Sequence, residues 1–336
     1  RRSTATTRRR SYSWSREPPA RDALPFFSDL LDRMLHARAF RATVAWTLVL
    51  LFLGSVVHAT ESSLACPDWP TCFGTMVPEM TGGVFWEHLH RLVAGGLLLM
   101  WGLATWFAHK ETSDRPWIFK ACVAGIVLLL VQSAFGGLTV IYRLPDLVST
   151  THLALALSFL ALATVLASAT ARAATSEPAT RHDDGTRTWA IAAAGLVFAQ
   201  SVLGALVRHM DAGLACLDFP LCLGRVVPPL VNAPIIVHFA HRVVALIVAI
   251  VVLAFAAHVY RVRASERMRR WAATAAVLVV TQVALGVASV FTVLAVVPVS
   301  LHTLVAASLL AVLAHVATIS RAAEAWRPTP VPAGAR

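Results

Sequence analysis

Long apolar runs separated by short polar or basic segments are the dominant pattern of this chain. Eight of them are long enough to cross a hydrocarbon core, which takes about 20 residues of helix. They cover residues 42–58, 84–108, 117–141, 147–170, 188–208, 233–260, 271–292 and 296–319. The shortest is free of charge from Ala42 to Val57. Each run is predicted to be a helix, because lipid offers no partner for the backbone groups of an open sheet edge. The pattern thus predicts an all-α polytopic membrane protein. Composition agrees: of 336 residues, 57% are hydrophobic and 14% charged, against about a quarter charged in soluble domains. A soluble enzyme and a disordered chain are both excluded.

The net charge of +11 reports topology rather than a nucleic-acid partner. Of the 29 Lys and Arg, 24 fall in 1–42, 109–120, 171–187, 261–270 and 320–336. The positive-inside rule places these segments, and both termini, in the cytoplasm. Segments 59–83, 142–146, 209–232 and 293–295 then face outward. The basic tail 1–41 reads as a solvated cytoplasmic segment, with an organelle transit sequence as the other reading; Met34 is a natural start. The expected location is a bacterial plasma membrane, ahead of an organelle inner membrane.

The two halves of the chain repeat each other. LGSVVHATESSLACPDWPTCFGTMVP from Leu53 lies over LGALVRHMDAGLACLDFPLCLGRVVP from Leu203, at an offset of 150 without a gap. Cys66, Asp68, Pro70 and Cys72 fall on Cys216, Asp218, Pro220 and Cys222. LHR ending at Arg91 meets AHR ending at Arg242 after one inserted residue, and Gln132, Gly136 and His152 return as Gln282, Gly286 and His302. Four spans separate the copies, so both have the same orientation. The expected architecture is two tandem pseudo-symmetric four-helix bundles, 42–170 and 188–320, joined by a cytoplasmic linker 171–187 and followed by a cytoplasmic tail 321–336.

Ionisable groups inside spans are functional hypotheses by default. His90, His152, His241 and His302 lie roughly 6–10 Å below the outer ends of helices 2, 4, 6 and 8, at 1.5 Å per residue. Within each bundle two histidines therefore stand at matched depth on parallel helices, an arrangement that can ligate one haem iron from both sides. Interhelical hydrogen bonding is the alternative, and zinc fits less well without a third ligand. His238, one turn before His241, is a competing ligand. Gly95, Gly96, Gly136, Gly137 and Gly286 leave room either for a macrocycle or for close helix packing. Arg91 and Arg242 each follow a candidate ligand and either snorkel outward or bind haem propionates. The pairs Cys66/Cys72 and Cys216/Cys222 lie in outward loops, the oxidising side, and are expected as disulfides. They either staple the surface or, if strained and exposed, exchange electrons with a thiol protein. Cys122 reads as core packing, and Trp69, Trp86 and Phe219 as interfacial aromatics.

SLACPDWPTC, WEHLHRLVAG and TTHLALAL, with their echoes LACLDFPLC, VHFAHRVVA and SLHTLVAA, together resemble the haem A synthases over about residues 40–320. The resemblance implies a membrane oxidoreductase that converts the methyl group of haem O to the formyl group of haem A. It implies a substrate haem in one half and a permanent haem b in the other. The first half, with His90 and His152, is expected to take haem O, and the second, with His241 and His302, haem b. Glu87 lies three residues before His90 on the same helix face, and the aligned residue in the second half is His238. Members of the family carry a Glu at that place, so Glu87 is the candidate catalytic residue, placed to give or take protons near the haem edge. The implied partners are haem O, membrane lipid and, beyond them, haem O synthase and cytochrome oxidase assembly factors; the electron-transfer partner stays open. The competing functions are a di-haem b-type electron carrier linked to quinol, and a thiol-disulfide/quinone oxidoreductase built on the Cys pairs.

Overall fold

The computed structural model describes residues 23–109, 115–174 and 184–320. Eight long helices account for most of these: α1 Ala23–Ala59, α2 Gly82–His109, α3 Pro116–Ile141, α4 Asp146–Ala174, α5 Asp184–His209, α6 Ala233–Arg261, α7 Glu266–Phe291 and α8 Val296–Ile319. All eight are long and apolar enough to cross a membrane. Among the described residues the only extended pairing is an isolated bridge in each long loop. The expectations for residues 1–22, 175–183 and 321–336 lie outside the described residues.

The helices match the eight apolar runs closely, except at two starts. α1 begins at Ala23 instead of 42, although its membrane portion is Ala37–Ala59. Residues 26–53 contain neither Gly nor Pro, so nothing in the backbone stops helix propagation below the apolar span. Hydropathy marks where lipid begins, not where hydrogen bonding ends. α7 likewise starts at Glu266, where the side chain of Ser265 accepts from Met268 N, and its charged first turn precedes the apolar run.

Helix neighbours close two rings. α1 packs on α2 and α4, with α3 between α2 and α4; α5 packs on α6 and α8, with α7 between α6 and α8. The rings meet where α8 lies against α1 and α4, and α4 against α5. Buried apolar clusters fill the end of each ring away from the loops. In the first half Trp101 is fully buried between Phe40 and Phe159, and its Nε1 donates to Cys122 O at 2.9 Å. In the second, Phe255, Val259, Met268, Ala272, Leu309 and Leu313 pack together. This packing holds the helices at one end and leaves the candidate chemistry at the other.

Each long loop folds into a small disulfide-closed hairpin. Cys72 and Thr75 exchange backbone hydrogen bonds, as do Cys222 and Arg225. The tips Phe73–Gly74 and Leu223–Gly224 have positive φ at both residues, as a tight two-residue hairpin turn requires. Positive φ is costly for the non-glycine residues Phe73 and Leu223, and a carboxylate holds each tip. Asp68 accepts from Phe73 N at 2.6 Å, from Gly74 N at 2.9 Å and from Thr71 Oγ1. Asp218 accepts from Leu223 N and Gly224 N, both at 2.8 Å.

Candidate functional site

The four repeated histidines occupy equivalent places. His90 and His241 lie eight residues past the starts of α2 and α6, and His152 and His302 six residues past the starts of α4 and α8. At 1.5 Å per residue those are depths of about 12 and 9 Å below the loop end. Within each ring the pair stands in electrostatic range, His90 with His152 and His241 with His302. Each imidazole rests on a glycine of the neighbouring helix. A Cβ on Gly54, Gly136, Gly204 or Gly286 would come within 3.0, 3.0, 2.9 or 3.1 Å of Cε1 of His90, His152, His241 or His302 respectively. Any larger residue would push the ring into the interior.

Glutamines of the neighbouring helices orient three of the four rings. His152 Nδ1 donates to Gln132 O at 3.0 Å, and Gln132 Nε2 approaches His152 Nε2 at 3.3 Å. His302 repeats this with Gln282, both contacts at 3.1 Å. A proton held on Nδ1 by a carbonyl leaves a lone pair on Nε2, the state in which histidine ligates a metal. His241 instead meets the side chain of Gln200, whose Nε2 lies 3.0 Å from Nδ1 and donates to His241 O at 2.9 Å. His90 has no such partner: the residue in register with Gln200 is Leu50, and His90 Nδ1 is buried without a hydrogen bond. The amide oxygens of Gln132, Gln200 and Gln282 are buried without partners as well. Two imidazoles per ring, each against a glycine and close to unsatisfied amide oxygens, are a donor set of the kind that holds a haem iron.

Glu87 and His238 perform one structural task with different chemistry. Glu87 is buried, accepts from Cys66 N at 2.8 Å through Oε2, and pairs with Arg91 Nη2 at 2.5 Å through Oε1. His238 donates from Nδ1 to Ala212 O at 2.7 Å and accepts from Arg242 Nε at 3.0 Å through Nε2. Both nitrogens of His238 are therefore engaged, Nδ1 by the loop and Nε2 by Arg242 of its own helix. The arginines tie the loops down. Arg91 Nη1 donates to Asp68 O at 2.7 Å and Thr71 O at 2.6 Å. Arg242 donates from Nη1 to Asp218 O at 2.7 Å and Leu221 O at 2.8 Å, and from Nη2 to Cys216 O at 2.6 Å.

Cys66–Cys72 and Cys216–Cys222 are disulfides, and all four residues are buried. Their burial keeps a bulky thiol protein away from the sulfurs and closes each loop. Cys122 is a buried free thiol in α3. Of the glycines singled out in the sequence, Gly136 and Gly286 seat histidines, Gly96 faces Trp46, Gly137 lies under Trp69 of the first loop, and Gly95 has nothing nearby. Trp69 thus anchors its loop on α3. The pattern reading missed Gly54, Gly204 and Gln200; the 150-residue register carries Gly54 onto Gly204 and was the signal that could have found both. It also took Asp68 and Asp218 only as markers of the repeat.

A family model described as cytochrome oxidase assembly protein matches residues 79–314. Among curated proteins, the haem A synthase of Symbiobacterium thermophilum is 32% identical over 254 residues, covering 73% of this chain and 82% of the relative. That of Halalkalibacterium halodurans is 29% identical over 279 residues, or 81% of this chain and 92% of the relative. That of Shewanella oneidensis is 27% identical over 292 residues, or 74% and 86%.

Proposed function

The chain belongs to the cytochrome oxidase assembly family that includes the haem A synthases, and from that premise we propose that it is itself a haem A synthase. It is a multi-pass membrane oxidoreductase that oxidises the methyl group of haem O to the formyl group of haem A. The observation that carries this is the fourfold seat of a histidine on a glycine, arranged as two like pairs in two like rings. Two pairs whose surroundings differ at Glu87 and His238 suit one site for a substrate and one for a resident group.

The first ring takes haem O between His90 and His152, and the second holds haem b between His241 and His302. When bound, haem b supplies a one-electron redox centre. The chain's own contribution is positional and protonic. The carbonyls of Gln132 and Gln282 hold the proton of His152 and His302 on Nδ1, so that Nε2 would ligate once the glutamine amide touching it turns away. Glu87 would take up a proton released during oxidation of the methyl group, with Arg91 as its paired cation. Arg91 and Arg242 are the propionate partners, with the loop carbonyls they hold as competing acceptors. Haem O reaches the first ring sideways from lipid. The disulfide loops face outward and both termini lie in the cytoplasm, as the placement of 24 of 29 basic residues supports.

Haem analysis tests the reading. Cells lacking the gene should lose haem A and accumulate haem O, and the purified protein should carry haem b together with haem O or haem A. A protein that yields haem b alone, with haem A unaffected by the deletion, would be a di-haem electron carrier instead.

A further inference from the structure

The first disulfide has a neighbour that the second lacks. One ring nitrogen of His88 and the sulfurs of Cys66 and Cys72 all lie within 4.8 Å of one another, and the three residues are buried. Among the described residues this is the only such group of three or more His, Cys, Asp or Glu. His88 Nε2 donates to Met76 O at 3.1 Å, while Nδ1 is buried with no partner. The proton therefore sits on the nitrogen facing the loop carbonyl, and the other nitrogen carries a lone pair. A ligating histidine is arranged this way, its second N–H held by a carbonyl. In the second half the residue in register with His88 is Phe239, which packs against the buried cluster of Cys216, Cys222 and Ile235. An apolar ring is thus enough to cover a disulfide in this loop. His88 brings a donor atom that burial does not require.

We propose that Cys66, Cys72 and His88 form a binding site for one Cu(I) ion once the disulfide is reduced. Two small thiols supply the reduction. They lose two electrons and become a disulfide, while two electrons and two protons pass to Sγ of Cys66 and Cys72. Cu(I) then displaces the two thiol protons to solvent and takes the Nδ1 lone pair of His88, with no change in its oxidation state. Two thiolates and one imidazole make a soft, three-coordinate site, which suits Cu(I); zinc asks for a fourth ligand. The site carries one net negative charge; Arg91, which also pairs with Glu87, binds the carbonyls of Asp68 and Thr71 between the two cysteines. The ion holds the sulfurs together as the S–S bond does, so the loop stays closed over the first ring under reducing conditions.

The test uses the full chain in detergent with its haem, carrying Cys122→Ala to remove the free thiol. The protein is reduced with a phosphine, freed of it without air, and titrated with Cu(I) against the chromophoric chelator bicinchoninate. The reduced protein should retain one equivalent and the oxidised protein none. Cys66→Ser should abolish retention, and Cys216→Ser with Cys222→Ser should leave it intact. His88→Phe copies the second loop, so it should still form the disulfide, which thiol labelling checks, while retention weakens on the order of tenfold or more. Failure of the reduced parent to hold copper would overturn the site. Retention unaffected by Cys66→Ser, or unchanged in His88→Phe, would overturn it equally. None of these readouts depends on conversion of haem O.

Discussion

Gly204→Ala is the sharpest probe of the histidine seats. A Cβ at this position would stand 2.9 Å from His241 Cε1, about 0.5 Å short of the 3.4 Å at which ordinary contact begins. The ring cannot simply swing away, because Gln200 Nε2 lies 3.0 Å from its Nδ1 and is itself bound to His241 O. Overpacking of a closed interior costs about 1–3 kcal/mol, and each 1.4 kcal/mol or so is a factor of ten in binding. Haem b retention should therefore fall roughly ten- to a hundredfold. Gly195, on the same helix, has nothing within 4 Å of its would-be Cβ. Gly195→Ala should be neutral, or stabilise the helix by about 0.5–1 kcal/mol. The assay is haem stoichiometry by pyridine haemochrome, with the reduced-minus-oxidised spectrum and a thermal melt of both variants. If Gly204→Ala kept a full equivalent of haem b with an unchanged spectrum, the seat would be ordinary helix packing and the argument from glycine would fail.

Other outcomes follow from the same geometry. His302→Ala should erase the b-type spectrum, whereas His152→Ala should leave it; an unchanged spectrum in His302→Ala would reverse the assignment of the two rings. Glu87→Gln keeps an acceptor for Cys66 N but removes the charge paired with Arg91, so it should lower stability by about 1.5–3 kcal/mol. In that variant haem b should remain while haem O accumulates, and wild-type amounts of haem A would remove Glu87 from the mechanism. The hydrogen bond from Thr71 and those from the Gly74 and Phe73 amides hold the Asp68 carboxyl below its ordinary value, and the Gly224 and Leu223 amides do the same for Asp218. A lowered value means the loops are supported above the ordinary carboxylate range and lose that support as pH falls through the lower folded values. Amide exchange at Gly74 and Gly224 should accelerate only in that acid window, and Asp68→Asn should abolish the acid step at Gly74. Thiol reagents should label none of Cys66, Cys72, Cys216 and Cys222 before reduction; full labelling without reductant would contradict the disulfides.

The sequence by itself determined the elements and their chemistry class. A span must be apolar over its whole length and every backbone group must be paired within it, so hydropathy located α2 to α6 and α8 to within a few residues. It misplaced the start of α1 because helix propagation depends on backbone continuity, which hydropathy does not measure. The repeat of Cys66/Cys72 and His90/His152 onto the second half, one register carrying several rare residue types, was likewise legible without coordinates. Tertiary structure alone decided what each polar side chain faces. Gly54 seats His90 and Gly204 seats His241 because neighbouring helices are rotated towards them; the repeat pairs the two glycines but does not say which side chain each one faces. Beyond the pairs Glu87–Arg91 and His238–Arg242 one turn apart, the partners of these side chains are loop carbonyls and an amide more than a dozen residues away. Such partners depend on how the chain returns over the helix ends. Composition sets how many buried donors must be satisfied; only the fold decides which acceptor satisfies each one.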